Sequence, residues 1–514
     1  MNSHLSRRTV LHGAGALIGG AIVSGVAGAS RAKRGARLDS FAPTSAWINE
    51  ENARNGDGTW LSGPAAPAGM LEGYTNVTSV NKGRQIHVFV SSASSFFDAK
   101  IYRIGYYQGL GARLVEKRSR IRGRLQVIPT PDEYGTVDCH WPISFTIDTD
   151  HRYVPGQYLI RLELPNGQYS LVPFMVRDDA SKATFVYMSA VTTWQAYNTW
   201  GGFSLYRGAD QQGVANFNNA QRAVRVSFNR PYDRNFANGA ADFIGNEFPL
   251  LFLAERHSLD LTYLTDIDLD MKGELLLGHR AVLSLGHDEY YSPAMRTAIT
   301  TAISSGVNVA FFGANFCYRK IRFEPGVNGA DRLMVNYRST ADPIYLVNPS
   351  LATVNWSDWP SDLPESTFSG SRYAGVDGTG SLVVADSSSW LWSGTGLIDG
   401  DVLAGALGGE FNHYDPASVN PPNVQIFAHS PVGGGVSDAT YVANPGEGGV
   451  FCSGTGQWIY HLSNTPLLGN TWIPGPIPHV TASLTKATQN ILALFGQGPA
   501  GTTSPSQSNV TQFY

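Results

Sequence analysis

Residues 286–292 read Gly-His-Asp-Glu-Tyr-Tyr-Ser and follow the apolar run 281–285. An imidazole beside two carboxylates, His287, Asp288 and Glu289, is a set suited to acid–base chemistry. Other apolar runs also end in polar groups. Residues 183–191 lead into Thr192-Thr193-Trp194-Gln195-Ala196-Tyr197-Asn198, 261–265 into Asp266, and 307–312 into Gly313-Ala314-Asn315. If these runs are parallel strands, the polar groups gather at the carboxyl edge of one sheet, where α/β proteins bind ligands. The alternative for Asp288 and Glu289 is that they only cap the next helix and favour its positive end. Four polar strand ends at one edge weigh against that reading. Read alone, Tyr197 and Tyr232 are core aromatics, and His287 could be a buried histidine with a satisfied ring.

The elements that must position these groups follow from pattern. Runs 183–191, 261–265, 281–285 and 307–312 are short, apolar and bounded by turn residues, so they read as buried strands. Residues 243–255 carry helical apolar spacing. So do residues 293–304, with Met295, Ala298, Ile299, Ala302 and Ile303 on one face, Ser292 as N-cap and Pro293 in the first turn. This alternation predicts a mostly parallel sheet with helices on its faces over residues 183–496. Residues 450–458 read as a strand feeding a helix, and 481–495 as an amphipathic helix. Residues 45–178 differ. Short strands at 85–90, 99–107, 156–164 and 169–176, with Pro165-Asn166-Gly167 as a hairpin turn, predict an immunoglobulin-like β-sandwich. Residues 178–181 read as the linker between the two parts, and no internal repeat is present.

Composition narrows the function classes. The 514 residues suffice for two or three domains, and only 15% are charged, with 56 glycines. A net charge of −4 leaves no nucleic-acid footprint. Three cysteines, Cys139, Cys317 and Cys452, make neither a disulfide framework nor a zinc spacing and read as core residues. Ser6-Arg7-Arg8-Thr9-Val10-Leu11 matches the twin-arginine export pattern, and Ala27-Gly28-Ala29 offers a cleavage site. Residues 1–29 are therefore expected to be a signal peptide, with an uncleaved anchor as the alternative. That places the mature protein outside the cytoplasm: extracellular, periplasmic or on the cell envelope. Residues 30–44 read as a flexible basic linker and 497–514, rich in Ser, Thr, Gly and Pro, as a disordered tail.

Eight stretches carry a resemblance. They are IYRIGYYQGLGARLV (101–115), VPFMVRDD (172–179), TTWQAYNTWGGFSLY (192–206), SFNRPY (227–232), GHDEYYS (286–292), VNVAFFGANFCYRKIR (307–322), GGEFNHYD (408–415) and GTGQW (454–458). In number and order they make the chain similar to the large (beta) subunit of N,N-dimethylformamidase and its wider group. That resemblance implies a catalytic domain with a class I glutamine-amidotransferase-like fold. It also implies a mononuclear ferric iron held by two tyrosines and a glutamate, which cleaves a linear amide. The glutamate falls on Glu289 and the first tyrosine on Tyr197. The second falls on Tyr232 in NRPY, with Tyr206 as its competitor. The resemblance further implies His287 and Asn315 beside the substrate and Glu410 as the catalytic acidic residue. The relative pairs with a small subunit and has a longer N-terminal region; this chain alone shows nothing of that partner, and a homo-oligomer is the alternative assembly.

Two phenolates and a carboxylate are hard oxygen donors, which suit ferric iron. Glu410 could act as general base on water, and His287 and Asn315 could donate to the carbonyl oxygen as it gains charge. For an exported enzyme the expected substrate is a small amide or an N-acyl group on an envelope or extracellular molecule. Two other readings remain open. One is a metal-dependent hydrolase or lyase acting on an extracellular glycan. The other is a surface polysaccharide-binding protein using its 11 Trp and 23 Tyr for sugar stacking.

Overall fold

The computed structural model describes residues 41–209, 215–216, 221–462 and 477–514. The expected signal peptide, 1–29, and residues 30–40 of the expected linker lie outside the described residues. The chain is mixed α/β, with strands arranged in several sheets.

Toward the N-terminus two sheets face each other across one apolar core. A three-stranded antiparallel sheet is ordered Leu71–Thr75, Gln85–Ser92, Phe145–Asp148. A five-stranded sheet is ordered Ser79–Asn81, Tyr169–Arg177, Gly156–Glu163, Phe96–Ile104, Ala112–Arg122. Ile86, Val88 and Val90 alternate along their strand and meet Ile101, Ile160 and Val172 from the facing sheet. The turn at 165–167 closes with Gly167 at φ 81°, a conformation that favours glycine. Tyr169–Arg177 is buried at every position, so both of its faces are covered. Its outer side chains Tyr169, Leu171 and Met175 join the core of the following α/β part.

Residues 178–181 are accordingly pinned, not loose. Arg177 bridges Asp268 at 2.6 Å and Asp179 at 2.9 Å, and Lys272 reaches Asp179 at 2.6 Å. Deeper in the seam, Arg103 pairs with Glu255 at 2.7 Å, both fully buried, and Tyr263 donates to the same carboxylate. The end of the expected linker docks as well: Phe41 packs edge-on against His257, and Asp260 N–H donates to Pro43.

The α/β part is built on a seven-stranded sheet ordered Leu261–Thr265, Phe185–Ser189, Ala281–Ser284, Asn308–Phe311, Val450–Cys452, Gly435–Val442, Gln425–Val432. The first five strands are parallel; Gly435–Val442 pairs antiparallel with both Val450–Cys452 and Gln425–Val432. Pro293–Ser304 is a helix, and Ser292 Oγ accepts from Met295 N–H at its start. The helical pattern over 243–255 divides. Phe243–Glu247 is a π-turn and Phe248–Arg256 the α-helix, because Pro249 has no N–H to give and favours a helix start. After Val450–Cys452 the described chain forms only the short 3-10 turn Ile459–Leu462, and Pro478–Phe495 is the long C-terminal helix.

The expected disorder of 497–514 is corrected. Asn509 donates to and accepts from the backbone of Ile426, and Ser506 Oγ–H donates to the Asn423 carbonyl while its oxygen accepts from Ala443 N–H. Tyr514 Oη–H donates to Asp438 at 2.6 Å. The Asn509 amide thus bonds the backbone of the edge strand Gln425–Val432, and Ser506 and Tyr514 bond residues beside it, which a polar composition alone does not reveal.

Candidate active site

The carboxyl ends of the parallel strands do gather the polar groups. Phe185–Ser189 feeds the short helix Val191–Tyr197, which ends on Tyr197. After Ala281–Ser284 the chain turns through Gly286, at φ 54°. A Cβ there would lie 2.6 Å from Asn246 Cβ, so no larger residue fits. Beyond it, Tyr290–Tyr291 pairs in parallel with Arg319–Lys320, which holds the 287–291 segment in place. After Asn308–Phe311, Asn315 sits at φ 54°, fixed by its N–H donating to Asn412 Oδ1 at 2.7 Å. Glu410 arrives from elsewhere, on the long hairpin of Arg372–Val383 with Val402–His413. Neither Asp288 nor Glu289 caps the following helix: Ser292 does, and Asp288 accepts from Ser284 and Tyr291, each at 2.6 Å.

Glu289 is the centre of the cluster and is fully buried. Tyr197 Oη–H donates to its Oε2 at 2.9 Å. Tyr206 Oη lies 2.9 Å from Oε1 and 2.8 Å from Oε2. Arg319 Nε–H donates to Oε1 at 3.1 Å, and the Glu289 N–H donates to Thr193 Oγ1 at 2.8 Å. The Tyr197 and Tyr206 rings stack with centroids 4.2 Å apart. Tyr206 also accepts from Tyr290 Oη–H at 2.8 Å and lies under the Arg338 guanidinium at 4.1 Å.

On the other side, His287 Nε2 lies 2.7 Å from Glu410 Oε2 and 3.3 Å from Glu289 Oε2. Asn315 Nδ2 is 3.3 Å from the same nitrogen. One ring nitrogen carries at most one proton and cannot serve three neighbours. Glu410 Oε2 and Asn315 Oδ1 are both buried without a properly angled hydrogen bond. His287, Glu289 and Glu410 each place one ligand atom within 4.8 Å of the others, the only such group among the described residues. Converging donors with unmet capacity are what a cation site requires. The two phenols add hard oxygens, so the residues present fit a hard cation such as ferric iron.

The electrostatics agree. Burial, then the Glu289 carboxylate, hold Tyr197 and Tyr206 well above the usual phenol range. Burial alone would lower His287, but Glu410 and Glu289 outweigh it and hold the imidazole well above its usual range. Two phenol protons and a bound cation are therefore alternative countercharges for Glu289, since a cation inverts the local logic.

Tyr232 does not join this cluster. Its ring packs edge-on against Trp194, and it lines a separate cavity with Arg230 and Arg332. Of the two candidates for the second tyrosine, it is Tyr206, the competitor, that joins Tyr197 on Glu289. The chain after Tyr197 folds back on itself: Leu205 N–H donates to Ala196 at 3.0 Å, and Arg230 holds the carbonyls of Asn198, Trp200 and Phe203. Tyr290 and Thr193, from the strand-end stretches, also touch the cluster, as do Arg319 and Arg338, which carry no role in the sequence reading. Arg319 and Tyr290 stand inside the quoted motifs, whereas no local pattern marks Arg338.

No curated protein matches the chain at a significant level. Residues 98–471, well over half of the 514, match the family described as N,N-dimethylformamidase beta subunit-like, C-terminal. The matched span begins within the five-stranded sheet and contains Tyr197, Tyr206, His287, Glu289, Asn315 and Glu410. The chain belongs to that family, as a member whose site residues all fall inside the matched region.

Proposed function

We propose that the protein is a metal-dependent amidohydrolase that hydrolyses a linear amide of the formamide or N-acyl type. The observation that carries this reading is the meeting of Tyr197 and Tyr206 on Glu289, with His287 and Glu410 beside them. Tyr197, Tyr206 and Glu289 would hold the metal, for which ferric iron suits the hard donor set. When bound, such an ion supplies Lewis acidity to the amide carbonyl and lowers the pKa of water.

The chain's own residues supply the rest. Glu410 stands where it can take a proton from the attacking water and pass it to the leaving amine. His287 and Asn315 Nδ2, 3.3 Å apart, stand where they can donate hydrogen bonds to the carbonyl oxygen as it becomes an oxyanion. Arg319 and Arg338 balance the negative charge behind Glu289 and Tyr206 and keep both oriented.

We also read the facing N-terminal sheets as an immunoglobulin-like sandwich and the seven-stranded part as glutamine-amidotransferase-like. The Arg7-Arg8 motif supports export, and with it an N-acylated extracellular substrate over a metabolised solvent. Among the described residues no helix is long and apolar enough to cross a membrane. The test is amine release from N,N-dimethylformamide and short N-acyl amines by iron-loaded protein, wild type beside Glu410→Gln. Amine release that survives unchanged in the variant would remove Glu410 from the chemistry.

A further inference from the structure

Several arginines are buried in this chain, and four of them have a carboxylate close by. Arg103 meets Glu255 at 2.7 Å, Arg113 meets Glu51 at 2.6 Å, Arg161 meets Glu163 at 3.3 Å, and Arg177 meets Asp268 at 2.6 Å. Arg296 has no such partner but is faced by the rings of Trp356 and Phe368. Arg230 and Arg332 are different. They are 1% and 5% exposed, and neither has a salt-bridge partner among the described residues. Arg230 donates to three carbonyls, of Trp200 at 2.9 Å, Phe203 at 2.7 Å and Asn198 at 3.1 Å, while its Nε is buried without a partner. Arg332 donates to Asn229 Oδ1 at 2.8 Å and to the carbonyls of Phe228 at 2.8 Å and Thr75 at 3.1 Å. Carbonyl dipoles satisfy N–H groups but do not cancel two positive charges, and an uncompensated buried charge is costly. Burial lowers both guanidinium groups to about 10, which still leaves them charged at neutral pH. Asp138 is felt by both, but its oxygens are taken by Ser227, Asn229 and His140.

Both arginines line one cavity of about 30 Å³ in the seam between the N-terminal sheets and the α/β part. Tyr232, Trp194, Gln157 and Thr265 line it with them. A water needs roughly 10–15 Å³ measured this way, so the space admits a small ion. We propose that this cavity binds a small monovalent anion, of chloride to formate size, between Arg230 and Arg332. The anion supplies the countercharge that the chain withholds, and the Tyr232 hydroxyl is available as a further donor. The site has a structural consequence. Arg230 clamps the segment 198–203 that joins Tyr197 to Tyr206, so an anion fixing Arg230 also fixes that segment.

The test uses bromide on the full chain and does not depend on activity or on iron. Crystals of wild type grown with sodium bromide are expected to show an anomalous peak within about 3.5 Å of guanidinium nitrogens of both arginines. In solution, bromide should raise the unfolding midpoint saturably, by about 3 °C over sodium gluconate at equal ionic strength, and Arg332→Gln should lose that difference. Only water between the two arginines at high bromide, with no saturable difference from gluconate, overturns the proposal. Should Arg332→Gln not fold, the wild-type crystal decides alone.

Discussion

Replacing Tyr206 by Phe removes one oxygen and leaves the ring. The stack on Tyr197, at 4.2 Å, and the contact with Arg338 survive, so packing is nearly unchanged. What disappears is a hydroxyl bonded to both oxygens of a buried carboxylate, at 2.9 and 2.8 Å, and to Tyr290 at 2.8 Å. A hydrogen bond to a charged group contributes about 1.5–3 kcal/mol, so the metal-free Tyr206→Phe protein should lose stability of that order. Metal binding should suffer more. Losing an outer partner of a metal ligand already costs roughly 10–100-fold in affinity, and losing a ligand should exceed about 100-fold. Tyr232→Phe is the control, because Tyr232 sits in the other cavity. The assay is iron content with the visible tyrosinate-to-iron charge-transfer band, on protein prepared aerobically. Tyr206→Phe should be iron-poor and pale, and Tyr232→Phe should match wild type. Full iron and colour in Tyr206→Phe, with loss in Tyr232→Phe, would refute the ligand assignment.

Three further outcomes follow from the same geometry. Glu410→Gln should keep the iron band while kcat/KM for an amide falls by roughly 10²–10⁴, the usual worth of a general base; steady-state amine release measures it. Asn315→Asp retains the shape and a residue type that tolerates positive φ but removes a donor, so kcat should fall by about 10²–10³ with KM little changed. Glu365 is buried, and desolvation pushes its carboxyl up to about 7. Below pH 4.5 both folded and unfolded chains hold that proton; between 4.5 and 7 only the folded chain does, so stability falls as pH rises through that window. The loss is up to roughly 3 kcal/mol, and denaturant titrations at several pH values should show Glu365→Gln without that slope.

Much of the site frame is local and therefore legible. Ser292 and Pro293 mark a helix start through capping and a missing N–H, and the apolar spacing from Met295 to Ile303 marks its buried face. The apolar run ending at Gly286 places His287 and Glu289 beyond a strand without any tertiary information. The choice between Tyr206 and Tyr232 is different in kind. It depends on a loop folded back by Arg230, a contact spanning some thirty residues, which no local pattern encodes. Glu410 likewise reaches the site on a hairpin, with its register set by pairing of Val376 with Glu410. The order of the tail depends on Asn509 bonding Ile426 of the edge strand and Ser506 bonding Asn423 just before it, each 83 residues earlier. Composition reports only that they are polar.

The most direct measurement of the central claim is product formation by wild type carrying iron and by the same preparation after chelation. N,N-Dimethylformamide and a panel of short N-acyl amines are the substrates, and released amine and carboxylate are both quantified. Equimolar amine and acid from at least one amide, loss on chelation, and recovery when iron is restored are expected. Amine release that is indifferent to chelation, or an iron-replete protein inert toward every linear amide tested, would contradict that claim.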